Sequence, residues 1–171
     1  MNSTGNIQDA VLAQIAAQTK DWDLAARNYA GLRSVKKRTF RMDEGPEICV
    51  QFNPERIYSS SAKVDKESVS KRQCFLCIPH LPKEQVWTNY TDSYLLLVNP
   101  YPIFERHLTI SHRTHTAQSI GGRMADILML ARDLDQFTLF YNGARCGASA
   151  PDHFHFQAGS KGLMPIEIEY G

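Results

Sequence analysis

Near its carboxyl end the chain reads His153-Phe154-His155-Phe156-Gln157. Successive side chains of a β-strand point to opposite faces of a sheet, so His153, His155 and Gln157 share one face. The two phenylalanines share the other face, where burial in a hydrophobic core would hold the strand in place. The pattern predicts a strand over residues 153–158 that presents two imidazoles and an amide in a row.

A glycine-rich turn comes directly before this strand. It begins at Asn142, ends at Ser149 and reads Asn-Gly-Ala-Arg-Cys-Gly-Ala-Ser. Gly143 and Gly147 allow close approach of the backbone, so amide groups can surround an anion. Arg145 or Ser149 would stabilise charge on the oxygens of a phosphate. A phosphate site beside a row of histidines predicts phosphoryl-group chemistry.

The chemistry of imidazole explains why histidines would stand here. A neutral imidazole can attack phosphorus and form a phosphoramidate, which divides one difficult displacement into two easier ones. The other ring nitrogen then needs a hydrogen-bond acceptor that fixes the tautomer. Gln157 can donate to a phosphate oxygen without transferring a proton. Taken alone, two histidines at this spacing are more often half-buried polar residues or metal ligands, and the attached turn is what favours catalysis.

The remaining patterns predict an α+β domain whose sheet is largely antiparallel, with helices packed against it. Apolar residues at helical spacing predict one long helix or two short ones over residues 7–32, and a further helix over residues 124–137. The polar stretch 59–72 predicts a mobile loop, and alternating Ile and Glu predict a strand within residues 164–170. Short runs of strand type predict the other strands, at 34–41, 47–52, 94–98, 107–110 and 138–141.

Composition excludes several classes of function. The 171 residues are 43% hydrophobic and 22% charged, which is typical of a globular domain with a core. A formal net charge of +1 supplies no long-range attraction for nucleic acid. Asp9, Asp21 and Asp23 interrupt the apolar positions near the start, unlike a secretory signal, and no apolar run approaches the roughly 18 residues of a membrane span. We therefore expect a cytoplasmic protein with neither a nucleic-acid nor a membrane partner.

Four cysteines are present, at positions 49, 74, 77 and 146. Disulfides are not expected in a protein without an export signal. Cys74 and Cys77 have the spacing of half a tetrahedral zinc site, which needs two further ligands. Spacing alone leaves a redox-active pair or a chance occurrence open.

Together these motifs resemble the histidine-triad superfamily. The glutamine that ends the run at Gln157 resembles the transferase branch, which includes galactose-1-phosphate uridylyltransferase, diadenosine tetraphosphate phosphorylase (ATP adenylyltransferase) and GDP-galactose phosphorylase. The hydrolase branch has a histidine there. The stretch from Val98 through His107 to His115 is similar to the family's pair of strands followed by a histidine. The resemblance covers about residues 51–159 and implies a histidine-triad-like fold and a nucleotidyltransferase.

The resemblance also implies roles for single residues. Within the catalytic run that begins at His153, His155 would carry the nucleotidyl group and Gln157 would contact its phosphate. Asn142 and Ser149 would lie at the phosphate or ribose end of the pocket. One residue more than expected separates Ser149 from His153, so the matching contact would come from a neighbouring backbone group.

A structural zinc ion is implied as well. In uridylyltransferases and several histidine-triad proteins, a similar cysteine pair is completed by two histidines. One follows the second strand, and the other is the first histidine of the catalytic run. Carried over, the ligands are Cys74, Cys77, His115 and His153, with His112 a competitor for His115. Such a closed site would hold the cysteine loop against the catalytic strand rather than activate water.

The expected organisation is an N-terminal helical segment over residues 1–34 and a histidine-triad-like nucleotidyltransferase domain over residues 35–171. Many relatives carry a second half or a C-terminal region, whereas this sequence stops 14 residues after Gln157. The resemblance therefore implies a truncated or a minimal version. Relatives pair two such halves, which implies a homodimer.

The expected function is that of a nucleotidyltransferase or phosphorylase acting on a nucleoside polyphosphate or a nucleotide sugar, with inorganic phosphate or a sugar phosphate as acceptor. A nucleotidyl-histidine on His155 would be the intermediate. Two alternatives stay open: a nucleotide hydrolase of the same fold, and a zinc-stabilised nucleotide-binding module without turnover. His107 falls within a predicted strand and is expected to be a satisfied structural residue.

Overall fold

The computed structural model describes residues 6–43, 47–54 and 64–169. Within these residues the helices are α1 (Ile7–Asp21), α2 (Asp23–Gly31), α3 (Lys66–Lys71), α4 (Met124–Asp133) and α5 (Pro165–Glu169). The strands are β1 (Lys36–Phe40), β2 (Ile48–Phe52), β3 (Trp87–Tyr90), β4 (Tyr94–Val98), β5 (His107–His112), β6 (Phe137–Phe140) and β7 (His155–Ser160). The predicted α+β class is confirmed.

Five strands form one antiparallel sheet in the order β3-β4-β5-β7-β6, and β1 pairs with β2 in a separate antiparallel hairpin. β7 is therefore flanked on both sides. Ser111 of β5 faces His155, and Thr109 faces Gln157. On the other edge of β7, Phe140 faces Gln157. This register holds the alternating residues of β7 in fixed rows.

One face of the five-stranded sheet, the core face, carries the main hydrophobic core. Phe154 and Phe156 are fully buried there, with ring centroids 4.8 Å apart in an edge-to-face arrangement. Helices α1 and α4 cover this face through Val11, Ile15 and Leu130. Truncating a buried phenylalanine typically costs about 3–5 kcal/mol, so this packing anchors β7 firmly.

The opposite face, which we call the histidine face, presents the polar side of the two central strands. By the strand register it carries His107, Thr109, Ser111, His155 and Gln157. A second, smaller hydrophobic core lies on the same side of the sheet and contains Cys74, Leu76, Leu95, Leu97 and Ala150. This core binds the segment with the cysteine pair onto the sheet.

The boundaries of several elements differ from the predicted ones. Residues 7–32 form two helices, because Trp22 leaves the helical region with φ −106° and ψ 105°. α4 ends before residue 137, since the N–H of Leu134 closes the last turn and Phe137 begins β6. β7 begins at His155 rather than at residue 153, because the N–H of Phe154 donates to the carbonyl of Thr116 in a loop, at 2.7 Å.

Two predictions of local structure are wrong. Residues 165–169 form α5 instead of a strand, since Pro165 suits the first helical turn and Glu167 accepts the backbone N–H groups of Gly162 and Met164. Tyr170 lies outside the described residues. Part of the predicted loop is α3, whose first turn is capped by Asp65 at 2.9 Å from the N–H of Ser68. Residues 59–63 of that loop lie outside the described residues.

β3 was not predicted, because it is a four-residue edge strand with two polar residues. Within the described part of the chain, no helix combines the length and the apolar character needed to cross a bilayer.

Candidate active site and metal centre

His155 stands at the start of β7 on the histidine face and is only 3% exposed. Its Nδ1 lies 2.9 Å from the carbonyl oxygen of His153. A carbonyl oxygen only accepts, so Nδ1 carries the proton and donates it. In a neutral imidazole Nε2 then keeps its lone pair. The geometry therefore selects the tautomer in which Nε2 can attack an electrophile.

The surroundings of His155 also favour its neutral form. Loss of hydration on burial lowers the pKa of this imidazole, and the nearby His153 ring lowers it further. The hydrogen bond to the carbonyl of His153 and the charge of Asp152 act in the opposite direction. The net shift is downward, so the nucleophilic form is the one that the fold stabilises.

Gln157, two residues further along the same face, is oriented by His107. The backbone N–H of Ile103 donates to Nδ1 of His107 at 3.2 Å, so Nε2 of that ring carries the proton. This Nε2 lies 2.9 Å from Oε1 of Gln157 and donates to it. With the amide oxygen engaged, the amide nitrogen of Gln157 is left as the donor. His107 is thus a buried residue, 1% exposed, that sets the orientation of its neighbour.

Four candidate metal ligands come together in a cluster formed by Cys74, Cys77, His115 and His153, and their ligand atoms all lie within 4.8 Å of one another. Nδ1 of His153 is 3.2 Å from Sγ of Cys74 and 3.5 Å from Sγ of Cys77. Nδ1 of His115 is 3.3 Å from Sγ of Cys77. In a tetrahedral zinc site, with bonds of about 2.3 Å to sulfur and 2.0 Å to nitrogen, these atoms lie about 3.5 Å apart. The four side chains fit a metal ion of that geometry.

The second nitrogen of each cluster histidine faces an acceptor. Nε2 of His153 lies 2.7 Å from the carbonyl oxygen of His112 and donates to it, which leaves Nδ1 as the ligand atom. Nε2 of His115 lies 3.7 Å from the carboxylate of Asp152. Asp152 in turn pairs with Arg72 at 3.1 Å. Partners of this kind orient the rings of metal-binding histidines.

His112, the competitor for His115, does not join the cluster. Its Nδ1 lies 2.9 Å from the carbonyl oxygen of Thr114, and its ring packs edge-on against Tyr94. Its backbone carbonyl, rather than its imidazole, serves the cluster by accepting from His153. The described residues therefore place His115 in the fourth position.

The environment of the Cys77 thiol disfavours its ionised form. Burial raises the pKa of Cys77 to about 11, and the hydrogen bond with Cys74 and its charge add to this shift. Metals bind the thiolate, and a divalent cation would stabilise that form against both effects. Metal binding here would therefore release protons.

The predicted phosphate-binding residues lie on the turn that leads from β6 to β7. Gly147 adopts φ +91°, a conformation that favours glycine. Asn142 and Gly143 are half-buried, whereas Arg145 and Ser149 are exposed. The turn leaves the sheet at the end of β6, which pairs with β7, so it starts beside the histidine strand. Its binding of an anion stays a prediction.

Sequence motifs did not reveal the contacts of three polar residues at the site. His107 donates to Gln157, and Asp152 faces His115. Gln118 forms hydrogen bonds with the backbone of His155. Each partner lies tens of residues away along the chain, so no local pattern reveals these contacts.

Comparison with protein families matches residues 14–160 to the family described as "Domain of unknown function (DUF4922)". This match spans well over half of the chain. No curated protein matches the chain.

Among solved structures, yeast Ap4A phosphorylase Apa2 aligns with a TM-score of 0.54 and 18% identity, covering 95% of this chain and 50% of that one. Its complex with AMP aligns with a TM-score of 0.55 and 16% identity, covering 94% of this chain and 51% of that one. This chain thus spans about half the length of the yeast phosphorylase. The likeness concerns the fold, and it confirms the histidine-triad-like fold that the resemblance to diadenosine tetraphosphate phosphorylase predicted.

A HIT family hydrolase from Clostridium thermocellum aligns with a TM-score of 0.39 and 21% identity, covering 53% of this chain and 90% of that one.

Proposed function

The chain belongs to the family described as "Domain of unknown function (DUF4922)", a description that states no activity, and we propose that it is a nucleotidyltransferase or phosphorylase with His155 as its covalent nucleophile. The substrate class is a nucleoside polyphosphate or a nucleotide sugar. The observation that carries the proposal is the hydrogen bond of 2.9 Å from Nδ1 of His155 to the carbonyl of His153, which leaves the lone pair on Nε2.

The first step forms a bond between Nε2 of His155 and the α-phosphorus. The bond between that phosphorus and the bridging oxygen breaks, and its electron pair leaves with the polyphosphate or sugar phosphate. Nδ1 keeps its proton, and the carbonyl of His153 stabilises the positive charge that the ring acquires. In the second step an oxygen of inorganic phosphate or of a sugar phosphate displaces Nε2. Two in-line displacements give retention at phosphorus and ping-pong kinetics.

The amide of Gln157 supports transfer over hydrolysis. With its oxygen bonded to His107 at 2.9 Å, the amide nitrogen can donate to a non-bridging phosphate oxygen. An amide neither gives nor takes a proton near neutral pH, so it offers no general acid or base for a water molecule.

The glycine-rich turn would hold the phosphates next to the nucleophile. Backbone N–H groups near Gly143 and Gly147, the exposed Arg145 and the hydroxyl of Ser149 are the groups available for an anion. Asn142 begins the turn and would contact the phosphate or ribose end. These groups would stabilise charge on the phosphoryl oxygens during both displacements.

We assign the four-residue metal cluster to zinc in a structural role. Two thiolates and two imidazoles are ligands that zinc prefers, and the four ligand atoms lie within 4.8 Å of one another. Zinc would hold three parts of the chain together: the cysteine segment, the loop after β5, and His153 at the start of the catalytic run. Since His153 supplies both a ligand nitrogen and the carbonyl that orients His155, the metal would support the nucleophile through a single residue.

The test is intact-mass spectrometry after mixing the protein with diadenosine tetraphosphate, ATP, GTP or UDP-glucose. The AMP bound to the yeast phosphorylase of the same fold makes adenine nucleotides the first choice. We expect an acid-labile nucleotidyl adduct on the wild type, none on His155→Ala, and an unchanged adduct on His112→Ala, which removes an imidazole outside the cluster and keeps the backbone carbonyl that accepts from His153. A folded wild-type protein that binds nucleotide but never acquires the adduct would contradict the proposal in favour of a binding module.

Transfer and hydrolysis are separated by a second variant. Gln157→His would place a proton donor where the amide stands, so we expect hydrolysis of the same substrate to increase relative to transfer. Product analysis with and without phosphate measures both reactions. Unchanged partition between the two acceptors would contradict the role assigned to Gln157, and a wild type that hydrolyses as fast as it transfers would identify a hydrolase.

A further inference from the structure

The side-chain amide of Gln118 lies against the start of β7, at His155. Its Oε1 accepts the backbone N–H of His155 at 2.7 Å, and its Nε2 donates to the carbonyl of the same residue at 3.0 Å. The same Nε2 donates to the carbonyl of Asn142 at 2.8 Å. Gln118 is 5% exposed, so water does not compete for these bonds.

This amide takes a place that a strand would otherwise occupy. Phe140 at the end of β6 faces Gln157, so continuing the antiparallel register would set Asn142 opposite His155. Asn142 has already left the sheet, and β7 at His155 would have no backbone partner on that side. Gln118 supplies both the acceptor and the donor that the missing strand would have offered.

The insertion links the two halves of the candidate site. His155 carries the nucleophile, and Asn142 is the first residue of the turn that would hold the phosphates. One amide group bridges their two carbonyls and also bonds the N–H of His155, so both protons of Nε2 are used. The oxygen and the nitrogen of the amide cannot exchange places without breaking these bonds. The backbone of the segment is itself held, since the hydroxyl of Tyr141 donates to the carbonyl of Gln118 at 2.9 Å.

We propose that Gln118 is a positioning residue that sets the distance and angle between Nε2 of His155 and the glycine-rich turn. This inference depends on the nucleotidyl transfer proposed above. The amide of Gln118 bonds the peptide of His155 and the carbonyl of Asn142, so it acts through them rather than on the reacting atoms. Attack in line at phosphorus is sensitive to such placement, and a displacement of about 1 Å can lower the rate about 100-fold.

The test compares Gln118→Met with Gln14→Met in the full chain. Methionine has a similar length and volume but neither the donor nor the acceptor of the amide. Gln14 is the matched control, because it is also buried and donates to the backbone carbonyls of Val86 and Leu96, at 3.1 and 2.9 Å, away from His155. Three quantities are measured for each protein: the thermal unfolding midpoint, the dissociation constant of the nucleotide, and the single-turnover rate of adduct formation on His155.

We expect both variants to lose stability, and only Gln118→Met to form the adduct about 100-fold more slowly while still binding nucleotide. Hydrogen exchange adds a readout that does not depend on turnover: the amide of His155 should exchange faster in Gln118→Met and not in Gln14→Met. Wild-type rates in a folded Gln118→Met, or equal rate losses in both variants, would overturn the positioning role and leave the proposed function intact. Absence of the adduct on the wild type would overturn both.

Discussion

His153 contacts the cysteine pair with its side chain and His155 with its backbone. Its side chain faces the cysteine pair through Nδ1, at 3.2 Å from Cys74 and 3.5 Å from Cys77. Its carbonyl oxygen accepts from Nδ1 of His155 at 2.9 Å. A metal that held the His153 ring through Nδ1 would restrain the residue whose carbonyl orients the His155 ring. We therefore expect metal binding to influence the orientation of His155 through this one residue.

A pH profile tests the protonation state of His155. Since burial is the largest influence and lowers its pKa, the neutral ring persists below the ordinary histidine value of about 6.5. We expect single-turnover adduct formation to keep its plateau through pH 6.5 and to decline only at more acidic pH. Mass spectrometry of quenched samples between pH 5 and 8, spanning the ordinary histidine pKa, measures the rate. A half-maximal rate at or above pH 6.5 would contradict this expectation.

The lowered pKa of His155 also makes the stability of the fold depend on pH, so the kinetic experiment needs a stability control. A lowered pKa in the folded state means that the contribution of His155 to stability is complete above the unfolded-state pKa. It is lost as the pH falls through the folded-state pKa. Unfolding must therefore be followed by circular dichroism at each pH, so that loss of structure is not mistaken for loss of nucleophile.

Between elements, the cluster of two cysteines and two histidines joins three segments that are distant in the chain. Cys74 and Cys77 come from the segment after α3, His115 from the loop after β5, and His153 from the residues that lead into β7. The small core around Leu95 and Ala150 holds the same segments by apolar packing. A bound metal would therefore stabilise segments that apolar packing already holds together.

Removal of the metal should lower the stability of the fold. We expect about one zinc per chain after purification, and a lower unfolding temperature after treatment with a chelator, because structural zinc stabilises the folded state directly. Cys77→Ser and His115→Ala should lose the metal, whereas Cys49→Ser, at an exposed position on β2, should retain it. Elemental analysis and thermal unfolding check both points. An unfolding temperature that does not respond to the chelator would contradict a structural metal.

The ring of Phe104, in the loop before β5, packs closely on Gly159 of β7. A Cβ atom on Gly159 would lie 2.4 Å from Cδ2 of Phe104, so Gly159→Ala has to displace that ring. Phe104 also packs edge-on against His107, with ring centroids 5.4 Å apart. We expect Gly159→Ala to lower the free energy of unfolding by about 1–3 kcal/mol in urea titrations, as other overpacked sites do.

Two variants control for the cause of that loss. Gly121→Ala, where the nearest atom is 3.7 Å from the added Cβ, should stay close to the wild type. In the double variant Phe104→Ala/Gly159→Ala the clash is absent, so the two effects should be smaller together than their sum. Additive losses would show that the contact with Phe104 is not the cause.

At the scale of the whole molecule, the N-terminal helices pack against the sheet. Val11 and Ile15 of α1 lie in the same core as Leu96 and Phe156, and Gln14 donates to the backbone of β4 at Leu96. A division of the chain at residue 34 stays a prediction, as do the homodimer and the cytoplasmic location. The shared core nevertheless predicts cooperative unfolding.

Ile15→Ala tests this cooperativity. Ile15 is 6% exposed, and truncating a buried isoleucine typically costs about 2–5 kcal/mol. We expect α1 and the sheet to unfold together, so that helical circular dichroism and aromatic signals of the core shift to the same lower midpoint. Leu128→Ala, at a position that is 65% exposed, should change the midpoint little. Separate transitions for the two probes would support an independent helical segment.

Much of this fold was predictable because it rests on local periodicity. The apolar run of β4, the alternation of histidine and phenylalanine that leads into β7, and the spacing of apolar residues in α4 each indicate an element and its buried side. α3 and α5 were missed since a capping residue or a proline outweighed the polarity pattern over only a few residues. The edge strand β3 has too few residues to show a period.

For the site, the motifs define which chemical groups are available: the alternating histidines, the final glutamine, the glycine-rich turn and the cysteine pair. Side-chain alternation in a strand also determined that His155 and Gln157 share a face opposite the buried phenylalanines. Three features follow only from contacts in the folded chain: His115 rather than His112 joins the cluster, His107 orients Gln157, and Gln118 bonds the backbone of His155. These contacts join residues tens of positions apart, and they form because strand pairing and core burial bring the segments together. Local sequence carries periodicity, whereas hydrogen-bond partners between distant segments exist only once the sheet has assembled.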